Sequence, residues 1–132
     1  MLETISVPTS RQTELLDLTS RVQEVLRRLE AREGICYVYV PHTTAGVTIN
    51  EHADPSVAAD LLMVLNKLIS DREPYRHLEG NSPAHIKATL VGASVAVPVM
   101  AGRLALGTWQ GIFFCEFDGP RQRKVQIKFL SG

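Results

Sequence analysis

Residues 75–87, Tyr-Arg-His-Leu-Glu-Gly-Asn-Ser-Pro-Ala-His-Ile-Lys, carry two of the chain's four histidines and a carboxylate around a turn that opens a helix. A third histidine, His42, follows a strand in Pro-His-Thr-Thr-Ala-Gly. Neutral imidazoles beside a carboxylate bind a borderline metal or move protons near neutral pH, so their grouping in polar turns marks a candidate site. His42, His77 and His85 can offer three nitrogens to a divalent ion and leave its fourth position to water or substrate. Their spacing matches no single-helix motif of the His-Glu-x-x-His kind, and one histidine alone is more often a surface or hydrogen-bonded residue than a ligand. The case rests on His77 and His85 together, with Glu79 between them.

Pro41-His42-Thr43-Thr44-Ala45-Gly46 adds hydroxyls and backbone N–H groups, which makes Thr43 and Thr44 candidates to hold an anion such as phosphate. A threonine-rich turn serves equally well to satisfy its own backbone. Glu51 and Asn50 lie just past a strand end, have no structural task visible in the sequence, and are read as facing the site. Asp54 has such a task, as the cap of a helix opened by Pro55. His52 is read as the solvated tip of the loop between them ahead of a fourth ligand, and Arg121, Arg123 and Lys124 as a solvated hairpin end ahead of a phosphate-binding cluster. Trp109 is read as core packing ahead of a stacking surface for a ligand. No Walker-type glycine loop, Gly-x-Ser-x-Gly elbow or dinucleotide fingerprint occurs, which argues against those enzyme classes.

The elements that must position these residues follow from periodicity. Residues 2–7 and 13–18 alternate apolar and polar, the pattern of two half-buried strands, and predict an N-terminal hairpin. Val22, Val25, Leu26 and Leu29 recur at helical spacing behind a Thr19 or Ser20 cap, which predicts a helix over about residues 20–32, stopped by Gly34. Strands are expected at 35–40 and 46–50, and a helix from Pro55 to about residue 70 with Ala58, Leu61, Leu62, Leu65 and Leu68 on its apolar face. Residues 71–82 read as a polar loop, and Ser82-Pro83 starts a short helix with His85 in its first turn. Strands follow at 94–100, 104–106, 111–117 and 124–130, with turns at Ala101-Gly102 and Asp118-Gly119-Pro120. Strands joined mostly by hairpins, with a few helices, make an α+β fold.

The 132 residues, 45% of them apolar, suit one globular domain. Lys plus Arg equal Asp plus Glu at 14 each, so no overall field favours nucleic acid or an anionic membrane surface, and any anionic ligand must be held locally. The N-terminal segment has no basic start or long apolar core of the signal-peptide kind, and no apolar run approaches the ~20 residues of a membrane span. A cytoplasmic protein is expected. Cys36 and Cys115 sit in apolar runs outside any Cys-x-x-Cys pair and read as buried hydrophobes.

His42-Thr43-Thr44-Ala45, Asn50-Glu51-His52-Ala53-Asp54-Pro55, Tyr75-Arg76-His77-Leu78-Glu79-Gly80, Pro83-Ala84-His85-Ile86-Lys87 and Gly102-Arg103-Leu104 running on to Gly107-Thr108-Trp109-Gln110-Gly111-Ile112 together resemble the YjbQ-like family, also called secondary thiamine-phosphate synthase enzymes. The resemblance spans nearly the whole chain. It implies a bent, largely antiparallel sheet with two or three helices in a single domain, assembled as a homotrimer, with a metal or anion bound near His42, His77 and His85. It also implies a transferase activity, joining a hydroxymethylpyrimidine diphosphate to a thiazole phosphate with release of diphosphate. His52 departs from the family pattern, where Asn is common.

Release of diphosphate calls for a divalent metal on carboxylates and for cations near the phosphates. Glu51, Asp54 and Glu79 are the carboxylates available, and Lys87, Arg76 and Arg103 the cations. Glu51, Glu79 and Lys87 are thus the candidate catalytic residues, and zinc or magnesium the candidate cofactor. Two other readings stay open: a metal-dependent hydrolase or lyase of a small phosphorylated or carboxylated metabolite, and a non-enzymatic trimer that binds a small anionic ligand.

Overall fold

In a computed structural model that describes residues 2–132, eleven elements follow one another as β1 (Leu2–Pro8), β2 (Glu14–Asp17), α1 (Thr19–Arg28), β3 (Gly34–Tyr39), β4 (Ala45–Glu51), α2 (Pro55–Leu68), α3 (Ser82–Val91), β5 (Ser94–Met100), β6 (Arg103–Leu104), β7 (Gln110–Glu116) and β8 (Gln122–Ser131). The class is α+β, as expected. The strands form two antiparallel sheets, one ordered β1-β8-β3-β5-β6 and the other β2-β7-β4.

The strand pairing differs from the sequence expectation. β1 and β2 form no hairpin: β1 pairs with β8, Ile5 opposite Val125, and β2 pairs with β7, Leu16 opposite Phe114. Alternation specifies which face of a strand is buried and leaves its partner open. The bend between them is held by Glu14, whose Oε2 accepts the Ser10 and Arg11 N–H groups at 2.6 and 2.9 Å. β7 and β8 likewise part into different sheets, so residues 118–120 form a crossing rather than a hairpin end. Among strands consecutive in sequence, β5 and β6 do pair, through Ala101 and Gly102 with φ of 51° and 79°, the left-handed pair of a tight hairpin turn.

Helix α1 buries Val22, Val25 and Leu26 and stops at Arg28, earlier than expected. Glu30 turns left-handed (φ 54°), its N–H bonds Arg27 O and the Ala31 N–H reaches Leu26 O at 3.0 Å, which closes the helix before Gly34 can act. Asp54 caps α2 as read, accepting the Ser56 N–H at 2.9 Å. Yet no residue of α2 is fully buried, and Met63, Val64 and Leu68 face solvent.

The main core lies between the sheets and α1, around Phe114, Leu18, Leu26, Ile112 and Ile127. Cys36 and Cys115 belong to the interior, and burial pushes their thiols up to about 11 and about 12. A smaller cluster of Ala84, Cys115 and Phe117 seats α2 and α3. Outward, the five-stranded sheet leaves Ile35, Tyr37, Tyr39 and Leu130 exposed.

Candidate functional site

The end of β3 releases Pro41 and His42, the loop after α2 carries His77 and Glu79, and the first turn of α3 presents His85. These segments meet in a cleft of about 400 Å³ whose lining also includes Thr43, Thr44, Asn81, Asp118, Arg121 and Arg123. The His77 and His85 rings stand edge to face, with centroids 5.3 Å apart, and His77 Nε2 is 3.8 Å from a Glu79 oxygen. His42 Nε2 accepts the Lys124 N–H at 2.9 Å. Burial, then the neighbouring Arg123 charge, hold the His42 ring below its ordinary pKa, so it stays neutral with its single proton on Nδ1.

The floor of the cleft is a buried ion pair, one half of which, Arg123, sequence reading placed in a solvated hairpin end. Arg123 is 5% exposed and Glu116 is 0%. Arg123 Nε donates to Glu116 Oε1 at 2.8 Å and Nη2 donates to the other oxygen, while Nη2 also reaches Thr44 Oγ1 at 2.9 Å. Glu116 further accepts the Thr9 hydroxyl at 2.8 Å and the Asp118 N–H at 2.9 Å. Burial alone would raise the Glu116 pKa, but these donors outweigh it and hold the carboxyl below its usual value. Arg123 points inward because it shares the alternation of Val125 and Ile127 on β8. That alternation, and a lone carboxylate in the apolar run 111–117, were the available signals. The pair engages Thr44, whereas Thr43 remains exposed.

Asn81, before the first turn of α3, donates to Asp118 Oδ2 at 2.9 Å, and its buried Oδ1 has no partner among the described residues. An unmet buried acceptor in a cleft wall invites a donor from water or ligand. Beyond Asn81 a second pocket of about 450 Å³ shares Glu79, Asn81 and Asp118 with the cleft and contains Lys87. Lys87 is 5% exposed, donates to Asn66 Oδ1 at 2.6 Å, and has its pKa lowered by burial. It thus stands beside the histidines' cleft rather than in it. Glu51 is farther off, in the groove that holds His52.

Two other sequence readings are corrected. His52 is no free loop tip: its Nδ1 lies 2.9 Å from Asp17 Oδ2, and its ring occupies the space where a Cβ on Gly111 would stand. Trp109 is 63% exposed and is not core, because the tight turn from Gly107 to Gln110 carries it outside the β4–β7 pairing. Arg103 lies on the surface, in a depression it shares with Arg27 and Arg32.

His42 has committed one nitrogen to a backbone N–H and carries its proton on the other, and among the described residues no three His, Cys, Asp or Glu side chains are grouped to hold an ion. As placed, the three histidines do not fit zinc or magnesium. Nor is any helix among the described residues long and apolar enough to cross a membrane.

Comparison with known proteins places this geometry among relatives. A family profile described as UPF0047 protein YjbQ-like matches residues 3–132. The chain is 48% identical over 132 residues to the UPF0047 protein YugU of Bacillus subtilis, covering 99% of this chain and 100% of that one. It is 48% identical over 131 residues to a UPF0047 protein of Methanocaldococcus jannaschii, covering 99% and 95%. A crystal structure of a YjbQ/UPF0047 family protein from Clostridium acetobutylicum superposes with a TM-score of 0.94 at 47% identity, covering 97% of this chain and 99% of that one.

Proposed function

The chain belongs to the YjbQ-like UPF0047 family, and on that premise we propose that the histidine cleft binds a small phosphorylated metabolite and exchanges protons with it. The observation that carries the reading is the convergence of three imidazoles and two guanidiniums from separate segments on one small cleft. Its carboxylates, Glu79 and Asp118, already face His77 and Arg121 respectively, Arg121 lying 2.9 Å from Asp118. A phosphate entering there meets the Thr43 hydroxyl, the His42 Nδ1–H and the two remaining rings, which can take up a proton as the dianion binds. The reaction implied by the resemblance, transfer of a hydroxymethylpyrimidine group onto a thiazole phosphate with release of diphosphate, is the first to assay. His77 and His85 are the groups placed to move its protons, Arg121 and Arg123 to offset the charge of the leaving group, and Glu79 to orient His77.

The working unit in this reading is a homotrimer. A sheet face showing Ile35, Tyr37, Tyr39 and Leu130, and a helix showing Val64 and Leu68, are more apolar than a solitary small domain ordinarily tolerates, and a closed assembly covers them. A monodisperse monomer in light scattering at micromolar concentration would remove this part of the proposal.

Calorimetric titration with inorganic diphosphate tests the cleft. Wild-type protein is expected to bind, and His77→Ala or His85→Ala to bind about 10-fold more weakly or worse, since each removes a charge-assisted bond. No binding by the wild type, or equal binding by all three, overturns the reading. Binding without turnover of the pyrimidine and thiazole substrates would identify a non-enzymatic ligand site.

A further inference from the structure

A second histidine and carboxylate stand apart from the cleft. His52 follows β4, and its N–H is fixed to Trp109 O at 2.9 Å. Its Nδ1 meets Asp17 Oδ2 at 2.9 Å, while Asp17 Oδ1 accepts both the Thr19 N–H at 2.9 Å and the Thr19 hydroxyl at 2.6 Å. The Thr19 oxygen in turn accepts the Ile112 N–H at 2.9 Å, which ties this chain of bonds to β7. Burial tends to raise the Asp17 carboxyl, but its bonds from Thr19 and His52 prevail and keep it below the ordinary value. An ionised Asp17 facing Nδ1 keeps that nitrogen protonated, so in the neutral ring Nε2 carries the lone pair. No described residue bonds Nε2. Underneath, a Cβ on Gly111 would sit 2.5 Å from the ring, so this seat exists only over glycine.

The ring borders a groove of about 580 Å³ between α2 and the three-stranded sheet. Leu15, Phe113, Leu62 and Met63 supply hydrocarbon; Glu14, Asp17 and Glu51 supply carboxylates against one cation among the described residues, Arg11. The balance is negative whether His52 is neutral or charged. A pocket of this size with an apolar wall and a few converging polar groups is the usual form of a small-molecule site.

We propose that this groove is a second ligand site, taking an amphipathic amine whose ammonium donates to His52 Nε2 beside the Glu51 carboxylate and whose hydrocarbon lies against Phe113, Leu62 and Met63. The carboxylate excess favours a cation, and a lone pair held outward by Asp17 accepts from one. A carboxylate-bearing ligand of the same shape is repelled. The site is independent of the phosphate cleft.

The test uses imidazole 15N–1H correlation spectra of the intact protein, titrated with benzylamine, benzyl alcohol and phenylacetate, which share a ring and differ in the head group. Benzylamine is expected to shift the His52 Nε2 signal saturably, benzyl alcohol weakly and phenylacetate not at all. By ligand-observed titration, His52→Phe, which keeps a ring over Gly111, and Asp17→Asn, which keeps His52 but releases its tautomer, should each weaken benzylamine about 10-fold or more. Absence of a saturable shift in the wild type overturns the proposal, as does phenylacetate binding equal to benzylamine or unchanged affinity in both variants. If His52→Phe does not fold, Asp17→Asn and the head-group series decide.

Discussion

The histidine cleft and the His52–Asp17 groove use the same chemistry but are assembled differently. In the cleft, side chains from distant segments lie over a buried Arg123–Glu116 pair, and the imidazoles themselves are loosely held: His42 accepts a backbone N–H, while the His77 and His85 rings only pack edge to face. In the groove no buried ion pair occurs among the described residues. There the imidazole itself is oriented, by a carboxylate that Thr19 holds from two directions. The cleft is thus a rigid base under adjustable ligands, whereas the groove fixes the reactive ring and leaves its surroundings open.

The contrast breaks most sharply at Glu116. Glu116→Gln strands the Arg123 guanidinium in the interior and should cost about 3–5 kcal/mol in chemical denaturation, as removal of one member of a buried pair does. A loss below about 1 kcal/mol, the scale of an exposed pair, would show that the floor of the cleft is no firmer than the groove.

Gly111→Ala probes the groove. A methyl group at 2.5 Å from the His52 ring must displace it, so the variant should lose about 1–3 kcal/mol, the cost of overpacking, together with the His52–Asp17 bond. The His52 ring signals report that bond directly, and signals unchanged from wild type would mean that the ring does not rest on Gly111. Diphosphate binding in the cleft should be unaffected.

The smallest effect is a pH dependence. In the fold His42 is held below its ordinary pKa, so the unfolded chain binds a proton that the folded chain resists. Its contribution to stability is fully present above about pH 6.5 and declines as pH falls toward the folded value. Glu116 and Asp17, also depressed, act in the same direction but at more acid pH, below their ordinary values of 4.5 and 3.8. Urea denaturation at about pH 7.5 and about pH 5.5 should show a modest loss in the wild type that His42→Gln lacks. An equal loss in both would assign the dependence to other groups.

Much of this was readable from residue types and spacing. The cap at Asp54, the strand ended by Pro41 and the helix opened at Pro83 depend on local backbone chemistry, which acts within a few residues. The grouping of His77, Glu79 and His85 was visible for the same reason. Arg123 was missed because its charge suggested solvent: its place in the alternation of β8 faces inward, and the paired Glu116 is what permits its burial.

What no local rule supplied was partnership. Alternation in residues 2–7 and 13–18 determined two half-buried strands and the face each would bury, but β1 joined β8 and β2 joined β7 because sheet pairing is settled by the competing surfaces of the whole chain. The same long-range choice brought Arg123 beneath His42, moved Lys87 and Glu51 away from the histidines, and set His52 on Asp17, 35 residues earlier in the chain. Hydrogen-bond propensity and periodicity are properties of short segments and can be read from them. A site is a meeting of segments, decided only when the apolar faces of both sheets are buried together.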